Sequence, residues 1–233
     1  MAKLDRSLLA GLPAFEGLRD DELDEIVRQA RSVRYPKEST IFEQAAEAHS
    51  FFLLLDGHVR VVRTTPDGTQ VIARYISEGE LLGIAAALGR DTYPASAIAA
   101  VDCVVLVWPN ALWPEFTARF PAFGAGAYRT VGARLEDTQA RVVEMSTERV
   151  EQRIAHALLR LVNQSGRKTA EGIEIDFPLS REDVAEMTGT TLHTVSRLLS
   201  KWESEGLVTG GRQRIIVKDP HALFLIAENR RET

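Results

Sequence analysis

The segment between residues 191 and 201 carries side chains that can bond to the edges of DNA bases. Arg197 can donate two parallel hydrogen bonds to O6 and N7 of a guanine, a contact that contributes about 1–3 kcal/mol of base discrimination. Ser196 and His193 can meet neighbouring bases if the segment is a helix with this face outward. The candidate contacts in the segment are Thr191, Leu192, His193, Thr194, Ser196, Arg197 and Lys201.

Two more arginines, Arg212 and Arg214, lie in a predicted β-hairpin that follows this segment. Leu207-Val208 predicts its first strand, Gly210-Gly211 its turn, and residues 213–217 its second strand. Both arginines are then placed to touch phosphates, as the wing of a DNA-binding domain does.

A helix-turn-helix pattern would position these side chains. Ser180 and Asp183 match a capping box that predicts a helix start, and Gly189 ends this helix early. Thr190 or Thr191 can cap the second helix. Its predicted inner face consists of Val195, Leu198, Leu199 and Trp202, and it stops at Gly206.

The pattern is moderately specific by itself, because a plain pair of helices with this spacing is a common scaffold element. Here the polar face after the turn, the wing and the arginines coincide, which favours duplex DNA as the partner. An amphipathic helix over residues 151–165 and a strand over residues 173–177 precede the pair.

The charge of the chain is distributed unevenly. The 233 residues carry 28 Lys and Arg against 33 Asp and Glu, a formal net charge of −5. Residues 149–233 hold 13 basic and 12 acidic residues, whereas residues 1–148 hold 15 and 21. The acidity belongs to the first part, although a net charge of +1 is a weak footprint for DNA binding.

The composition is typical of a folded protein of the cytoplasm. Hydrophobic residues make up 45% of the chain, enough for the cores of two domains. No apolar run reaches the length of a membrane span, and the first residues lack the pattern of a secretory signal. We therefore expect a cytoplasmic location and no membrane partner.

Short β-branched and aromatic runs between residues 39 and 108 predict an antiparallel β-roll of the jelly-roll type. Turn signals such as Asp56-Gly57 and Pro66-Asp67-Gly68 separate these runs. Residues 4–33 have apolar positions at helical spacing and predict a short helical lead-in. The predicted strands are residues 40–42, 51–55, 59–62, 70–76 and 104–108.

A long helix is predicted after Pro114, around residues 122–147, and apolar residues recur along it in steps of three and four. This heptad period is typical of two helices that lie side by side, and it predicts a homodimer. The alternative is one helix packed on its own β-roll. The predicted dimerisation seam consists of Tyr128, Val131, Leu135, Thr138, Val142 and Met145.

Together these elements predict an α+β fold in three parts. Residues 1–112 form the β-roll with its N-terminal helix, and residues 113–148 form the dimerisation helix with a hinge at Ser146-Thr147-Glu148. Residues 149–233 form the winged helix-turn-helix.

Three stretches of the last part resemble the DNA-binding domain of the Crp-Fnr superfamily of transcription regulators. The order of a β-roll similar to a cyclic-nucleotide-binding domain, a dimerisation helix and a winged helix also agrees, so the resemblance covers nearly the whole chain. The tract between Glu171 and His221 looks most similar to the nitrogen-oxide-responsive regulators of denitrification. The three stretches are Leu179–Ala185, Gly189 with Thr194–Leu199, and Gly206–Val208.

The resemblance implies a transcription activator that binds a pseudo-palindromic DNA site as a homodimer and contacts RNA polymerase. It assigns base reading to Ser196 and Arg197 and a phosphate contact to Arg181. His193 stands where many members carry a glutamate, and Leu192 where the cyclic-AMP receptor has an arginine. These departures leave the base sequence of the half-site open.

The resemblance also implies a signal-binding β-roll, but two of the family's signals do not fit. The positions that need a glutamate for ribose and an arginine for the cyclic phosphate hold Ile84 and Pro94, so cyclic AMP is not expected. An iron–sulfur cluster of the fumarate-nitrate type needs four cysteines, and Cys103 is the only one. Haem is the remaining family option, with His49 and His58 as candidate iron ligands and His156 as an ambiguous third.

Cys103 is expected to be a small buried hydrophobe, the alternative being a redox switch that joins two chains. Two alternative classes of function make different demands on the residues. A metal-dependent enzyme of the cupin type needs clustered histidines, but His49 and His58 are nine residues apart and no His-X-His occurs, so we expect no enzyme and no metal site. A winged helix that binds protein would favour apolar residues where Arg197, Arg212 and Arg214 stand.

Overall fold

The computed structural model describes Leu9 and residues 11–230. The chain divides into two units, Met1–Thr64 with Arg74–Thr138 and Thr65–Ala73 with Gln139–Thr233. We call them the β-roll unit and the helix-turn-helix unit. The division falls inside the long helix, and the boundaries expected at residues 112 and 148 remain predictions.

The strands of the β-roll are β1 (Arg31–Tyr35), β2 (Thr40–Phe42), β3 (Ser50–Asp56), β4 (Val59–Thr64), β5 (Gln70–Ile76), β6 (Leu81–Leu82), β7 (Ser96–Ala99) and β8 (Cys103–Pro109). They form two sheets, with the orders β1-β8-β3-β6 and β2-β7-β4-β5. The pairs β1–β8, β3–β8 and β4–β7 are antiparallel. An antiparallel β-roll is therefore confirmed.

All five predicted strands are present, each within two residues of its predicted ends. Three strands were missed. Strand β1 carries Arg31 and Arg34, β7 consists mostly of small residues, and β6 has only two residues. Their pairing partners β8, β4 and β3 are distant in sequence, and these contacts outweigh weak local propensity.

Only part of the predicted helical lead-in is a helix. Helix α1 (Asp20–Arg28) begins with three acidic residues, which favour a helix N-terminus. The expectation that the helical region extends to residue 33 is wrong, because Arg31 to Val33 pair with β8. Pro13–Phe15 form a 3-10 turn, and the first eight residues and Ala10 lie outside the described residues.

An aromatic cluster joins the β-roll to the helices that follow it. Phe51 stacks on Trp108 with ring centres 5.3 Å apart, and Trp108 Nε1 donates a 2.8 Å hydrogen bond to the carbonyl of Ile26 in α1. Helices α2 (Trp113–Arg119) and α3 (Pro121–Thr147) contribute the buried Trp113 and Phe123 to the same cluster. The first turns of α3 are thereby fixed to the roll.

Cys103 is a buried part of the β-roll core, as expected for a lone cysteine. Gly57 packs against it with φ of +98°, and a Cβ there would lie 2.8 Å from Cys103 Sγ. Burial raises the pKa of the Cys103 thiol, so this group is a poor nucleophile in the folded chain.

The helix-turn-helix unit contains α4 (Val150–Ser165), β9 (Gly166–Thr169), β10 (Gly172–Ile175), α5 (Arg181–Thr188), α6 (Leu192–Ser204), β11 (Val208–Gly211), β12 (Arg214–Val217) and α7 (Pro220–Ala227). Its sheet has the order β11-β12-β10-β9. The helix predicted over 151–165 is confirmed, whereas β9 and α7 were not predicted. Among the described residues, no helix combines the length and apolar composition that a membrane crossing requires.

Candidate nucleic-acid interface

The first helix of the pair starts at the predicted capping box. Asp183 N donates to Ser180 Oγ at 3.0 Å, and Ser180 N donates to Asp183 Oδ2 at 2.7 Å. The helix ends at Gly189, whose φ of 60° is left-handed and favours glycine. The left-handed Gly189 therefore ends α5 and begins the short turn that leads to α6.

Thr191 starts the second helix, which settles the choice between Thr190 and Thr191. Its Oγ1 accepts a hydrogen bond from Thr194 N at 3.2 Å, and α6 begins at the next residue. The predicted inner face is confirmed, because the side chains of this face are buried: Val195, Leu198, Leu199 and Trp202. The opposite face of α6 is exposed to solvent.

The outer face of α6 is exposed along its first three turns. Thr194 and Ser196 are half-buried near the edges of this face. Within the described part of the chain, Arg197 has no carboxylate at ion-pair distance, so its guanidinium is available to an external acceptor. The exposed members of the predicted set are Thr191, Leu192, His193, Arg197 and Lys201.

Arg181 is held against α6. Its Nη2 lies 3.1 Å from Glu203 Oε1, and its Nη1 lies 3.4 Å from both Ser200 Oγ and the carbonyl of Ser196. These contacts tie the start of α5 to α6. The predicted phosphate contact of Arg181 would use the part of its side chain that stays exposed.

Lys201 also has acidic neighbours. Its Nζ lies 3.5 Å from Glu151 and 3.9 Å from Glu205. Exposed pairs of this kind contribute only about 0.2–1 kcal/mol, so they do not prevent Lys201 from approaching a phosphate.

The hairpin is present, but its turn is not Gly210-Gly211 as predicted. Both glycines belong to β11, and the turn consists of Arg212 and Gln213, the latter with φ of 59°. A Cβ on Gly210 would lie 2.1 Å from the carbonyl oxygen of Arg214. Glycine is needed there for close approach of the two strands and not for the turn itself. The correction places Arg212 at the tip of the wing.

Arg214 turns back to the sheet. Its Nε donates to Glu174 Oε1 at 2.8 Å and its Nη2 to Glu174 Oε2 at 3.2 Å, and Glu171 lies 3.8 Å away. The Arg214 hydrogen bond lowers the pKa of Glu174, and the same contact raises the pKa of Arg214. Arg214 anchors the wing to β10, whereas Arg212 has no carboxylate partner among the described residues.

A groove connects the start of α5, the start of α6 and the wing turn. Its volume is about 560 Å³, and it contains two of the predicted cations together with the carboxylate of Glu182. The lining residues are Ser180, Arg181, Glu182, Leu192, Gly211, Arg212 and Gln213. The structure thus brings Arg181, Leu192 and Arg212 to one concave surface. Sequence reasoning missed Gln213, because the double glycine was taken as the turn.

The predicted dimerisation seam is largely exposed in the single chain. Tyr128, Leu135, Val142 and Met145 are between 50% and 70% exposed, as is Val143, which the prediction omitted. Thr138 is exposed as well, whereas Val131 packs in part against the β-roll core. Along α3, the exposed members form an apolar stripe with heptad spacing that stays at least half accessible among the described residues, although Met145 lies against Gly189.

The candidate haem ligands do not converge on one site. The side chain of His49 is 75% exposed and lies 3.5 Å from Glu47. His49 and His58 flank the seven-residue strand β3, so roughly 20 Å separates them and they cannot share one iron. His156 lies 3.3 Å from Glu148 in the other unit. Among the described residues, no three His, Cys, Asp or Glu side chains converge as metal ligands do.

Ile84 and Pro94, the residues at the expected ribose and phosphate positions, line one cavity of the β-roll. The two expected positions therefore lie at the same cavity. Neither side chain can bind a sugar hydroxyl or a phosphate.

Two family models match the chain. Residues 32–120 match the Cyclic nucleotide-binding domain, and residues 152–225 match the Crp-like helix-turn-helix domain. Two relatives are similar over almost their full length. The Cyclic AMP receptor protein of Thermus thermophilus is 28% identical over 94% of this chain and 98% of its own. The Transcriptional activator protein FnrA of Stutzerimonas stutzeri is 27% identical over 93% of this chain and 88% of its own.

A solved structure agrees with these matches. A CRP-family transcriptional regulator of Thermus thermophilus superposes with a TM-score of 0.72 at 26% identity, covering 84% of this chain and 96% of that one. The two domain types and their order are therefore those of known transcription regulators.

Proposed function

This chain belongs to the Crp-Fnr family of transcription regulators, and on that premise we propose that it binds a pseudo-palindromic DNA site as a homodimer and responds to a small signal held in the β-roll. One observation carries the proposal. The first turns of α6 present a polar face outward over a fully buried inner face, and Arg197 on that face has no internal ion pair.

We divide the predicted DNA contacts by what their side chains are free to do. Arg197 reads a guanine, and Ser196, His193, Thr194, Thr191 and Leu192 meet neighbouring base edges or the sugar–phosphate backbone. Arg212 at the wing tip, with Arg181 and Lys201, contacts phosphates. Arg214 acts as a positioning residue, because its guanidinium is already bonded to Glu174.

We propose a second copy of this chain as the partner of the exposed stripe on α3. A contiguous apolar stripe of this kind marks an interaction surface, and its heptad spacing suits a parallel helix of the same sequence. Pairing would set the two recognition helices about 34 Å apart, one DNA turn. A signal would act by binding two dimer arrangements with different affinity.

By analogy with the family, we propose a cytoplasmic activator that contacts RNA polymerase and catalyses no reaction. Cyclic AMP, which the Thermus relative's name states as its ligand, is not proposed here, because Ile84 and Pro94 replace the groups that would bind it. A response to nitrogen oxides remains a prediction from sequence resemblance.

Selection of bound duplexes from a randomised DNA library tests this function. We expect an inverted repeat with half-site centres about 10 base pairs apart, and binding that weakens steeply with salt. Enrichment of no sequence, together with binding that does not depend on salt, would overturn the proposal.

A further inference from the structure

Two arginines line one small cavity inside the β-roll unit. Arg74 comes from β5 and Arg134 from α3, and the cavity that they share has a volume of about 170 Å³. Its other walls are apolar and include Phe42, Ile76, Leu82, Ile84, Leu88 and Pro94. The charged lining residues of this cavity, within the described chain, are both cations.

The two guanidiniums are poorly solvated. The side chains of Arg74 and Arg134 are only 20% and 21% exposed. Burial, with Arg74 nearby, lowers the pKa of Arg134 to about 10, and burial also lowers the pKa of Arg74. Two like charges at low solvation therefore face the same apolar space.

Each of these arginines has a carboxylate at ion-pair distance. Asp137 lies 3.3 Å from Arg74, but Glu80 lies 3.8 Å from Arg134, beyond a hydrogen bond. Glu80 Oε1 also accepts a hydrogen bond from Ser77 N at 2.9 Å. Neither carboxylate lines the 170 Å³ cavity.

Arg134 has donor capacity left. One terminal nitrogen donates to the carbonyl of Leu81, whereas its Nε is buried and has no hydrogen-bond partner in the described structure. A buried donor without an acceptor is costly, and a carboxylate is the acceptor that matches a guanidinium in charge and geometry.

We propose that this cavity binds a small organic anion, an apolar body of about one ring that carries a single carboxylate. Size supports the assignment, because an engineered cavity of about 150 Å³ holds benzene, whereas drug-sized ligands need about 300–1,000 Å³. Arg74 and Arg134 would hold the anion, because the lining contains no acidic group that would repel it. The side chains of Ile84 and Pro94 would not bind the carboxylate. The inference rests on the proposed function only in treating this anion as the regulator's signal.

Calorimetry and thermal unfolding of the full chain without DNA test the binding step, with benzoate and hexanoate as probes. Benzamide is the uncharged control, and cyclic AMP is the competing ligand. We expect one benzoate or hexanoate site per chain, and at least about tenfold weaker binding of benzamide, since a charge-assisted hydrogen bond contributes about that factor.

Variants at the cavity mouth keep the fold intact. Leu88 is 47% exposed, so Leu88→Glu places a competing carboxylate at the cavity without disturbing the core, and Leu88→Gln is its neutral match. We expect Leu88→Glu and Arg134→Gln to weaken benzoate binding at least tenfold. Leu88→Gln should weaken it less than Leu88→Glu does, and Arg90→Gln, at an exposed position outside the lining, should leave it within about threefold.

Three results would overturn the assignment: equal affinity for benzamide, unchanged binding by folded Arg134→Gln, or no saturable binding of benzoate and hexanoate. Tighter binding of cyclic AMP than of both anions would also overturn it. Failure of DNA selection with anion binding intact would count against the proposed function alone.

Discussion

Replacement of Arg197 by alanine is the most informative change in the proposed interface. The side chain is exposed and has no ion pair among the described residues, so we expect the free energy of unfolding to change by no more than about 0.5 kcal/mol. The loss appears only on DNA. A bidentate contact to guanine contributes about 1–3 kcal/mol, so a dimer on two half-sites loses about 2–6 kcal/mol.

Fluorescence anisotropy on the selected duplex measures this loss, repeated on duplexes with one base pair changed at a time. The wild-type chain should penalise replacement of one guanine per half-site, and Arg197→Ala should not. Arg197→Lys keeps the charge but not the two parallel hydrogen bonds, so it should also lose discrimination at that guanine.

Two results would refute the reasoning. Unchanged affinity and base preference would remove Arg197 from the interface. A uniform loss on all sequences, with a smaller salt dependence, would make it a phosphate contact instead.

Three further predictions concern the wing and the dimer. Arg212→Ala should weaken binding to all sequences alike and reduce the slope of log K against log salt by about 0.9 per half-site, measured by a salt titration; an unchanged slope would exclude a phosphate contact. Glu174 has a lowered pKa in the folded chain, so its ion pair with Arg214 stabilises the fold above the unfolded pKa of about 4.3, and this stabilisation is lost as pH falls through the folded pKa. The difference in the free energy of urea unfolding between wild type and Glu174→Gln should therefore vanish in acid. A difference that stays constant with pH would contradict this. Leu135→Asp should weaken dimerisation at least about a hundredfold in sedimentation, because each leucine buried in the dimer contributes about 1.5–3 kcal/mol. Glu136→Ala, at an adjacent exposed position, should leave dimerisation unchanged. Equal effects of the two variants would contradict the proposed dimerisation seam.

Features that depend on neighbouring residues could be predicted from the sequence. The Ser180–Asp183 capping box, the glycine at the end of α5 and the buried face of α6 are set by contacts within a few residues. Helical spacing was therefore enough to place Arg197 on the outside of α6.

Features that depend on distant contacts could not be predicted. The wing turn was misplaced because a double glycine is a strong turn signal, whereas Gly210 is required by the approach of β12. Arg214 was predicted to face phosphate, and its pairing with Glu174, forty residues away, follows from strand pairing that local pattern does not reveal. The meeting of Arg74 and Arg134 depends likewise on packing of α3 against β5.

Methylation interference at guanine N7 tests most directly whether the outer face of α6 reads the major groove. With the wild-type chain, methylation of one guanine in each half-site, about 10 base pairs apart, should block binding, because N7 is an acceptor for Arg197. With Arg197→Ala, methylation at these guanines should no longer reduce binding. The same interference in both proteins, or none in either, would contradict the account.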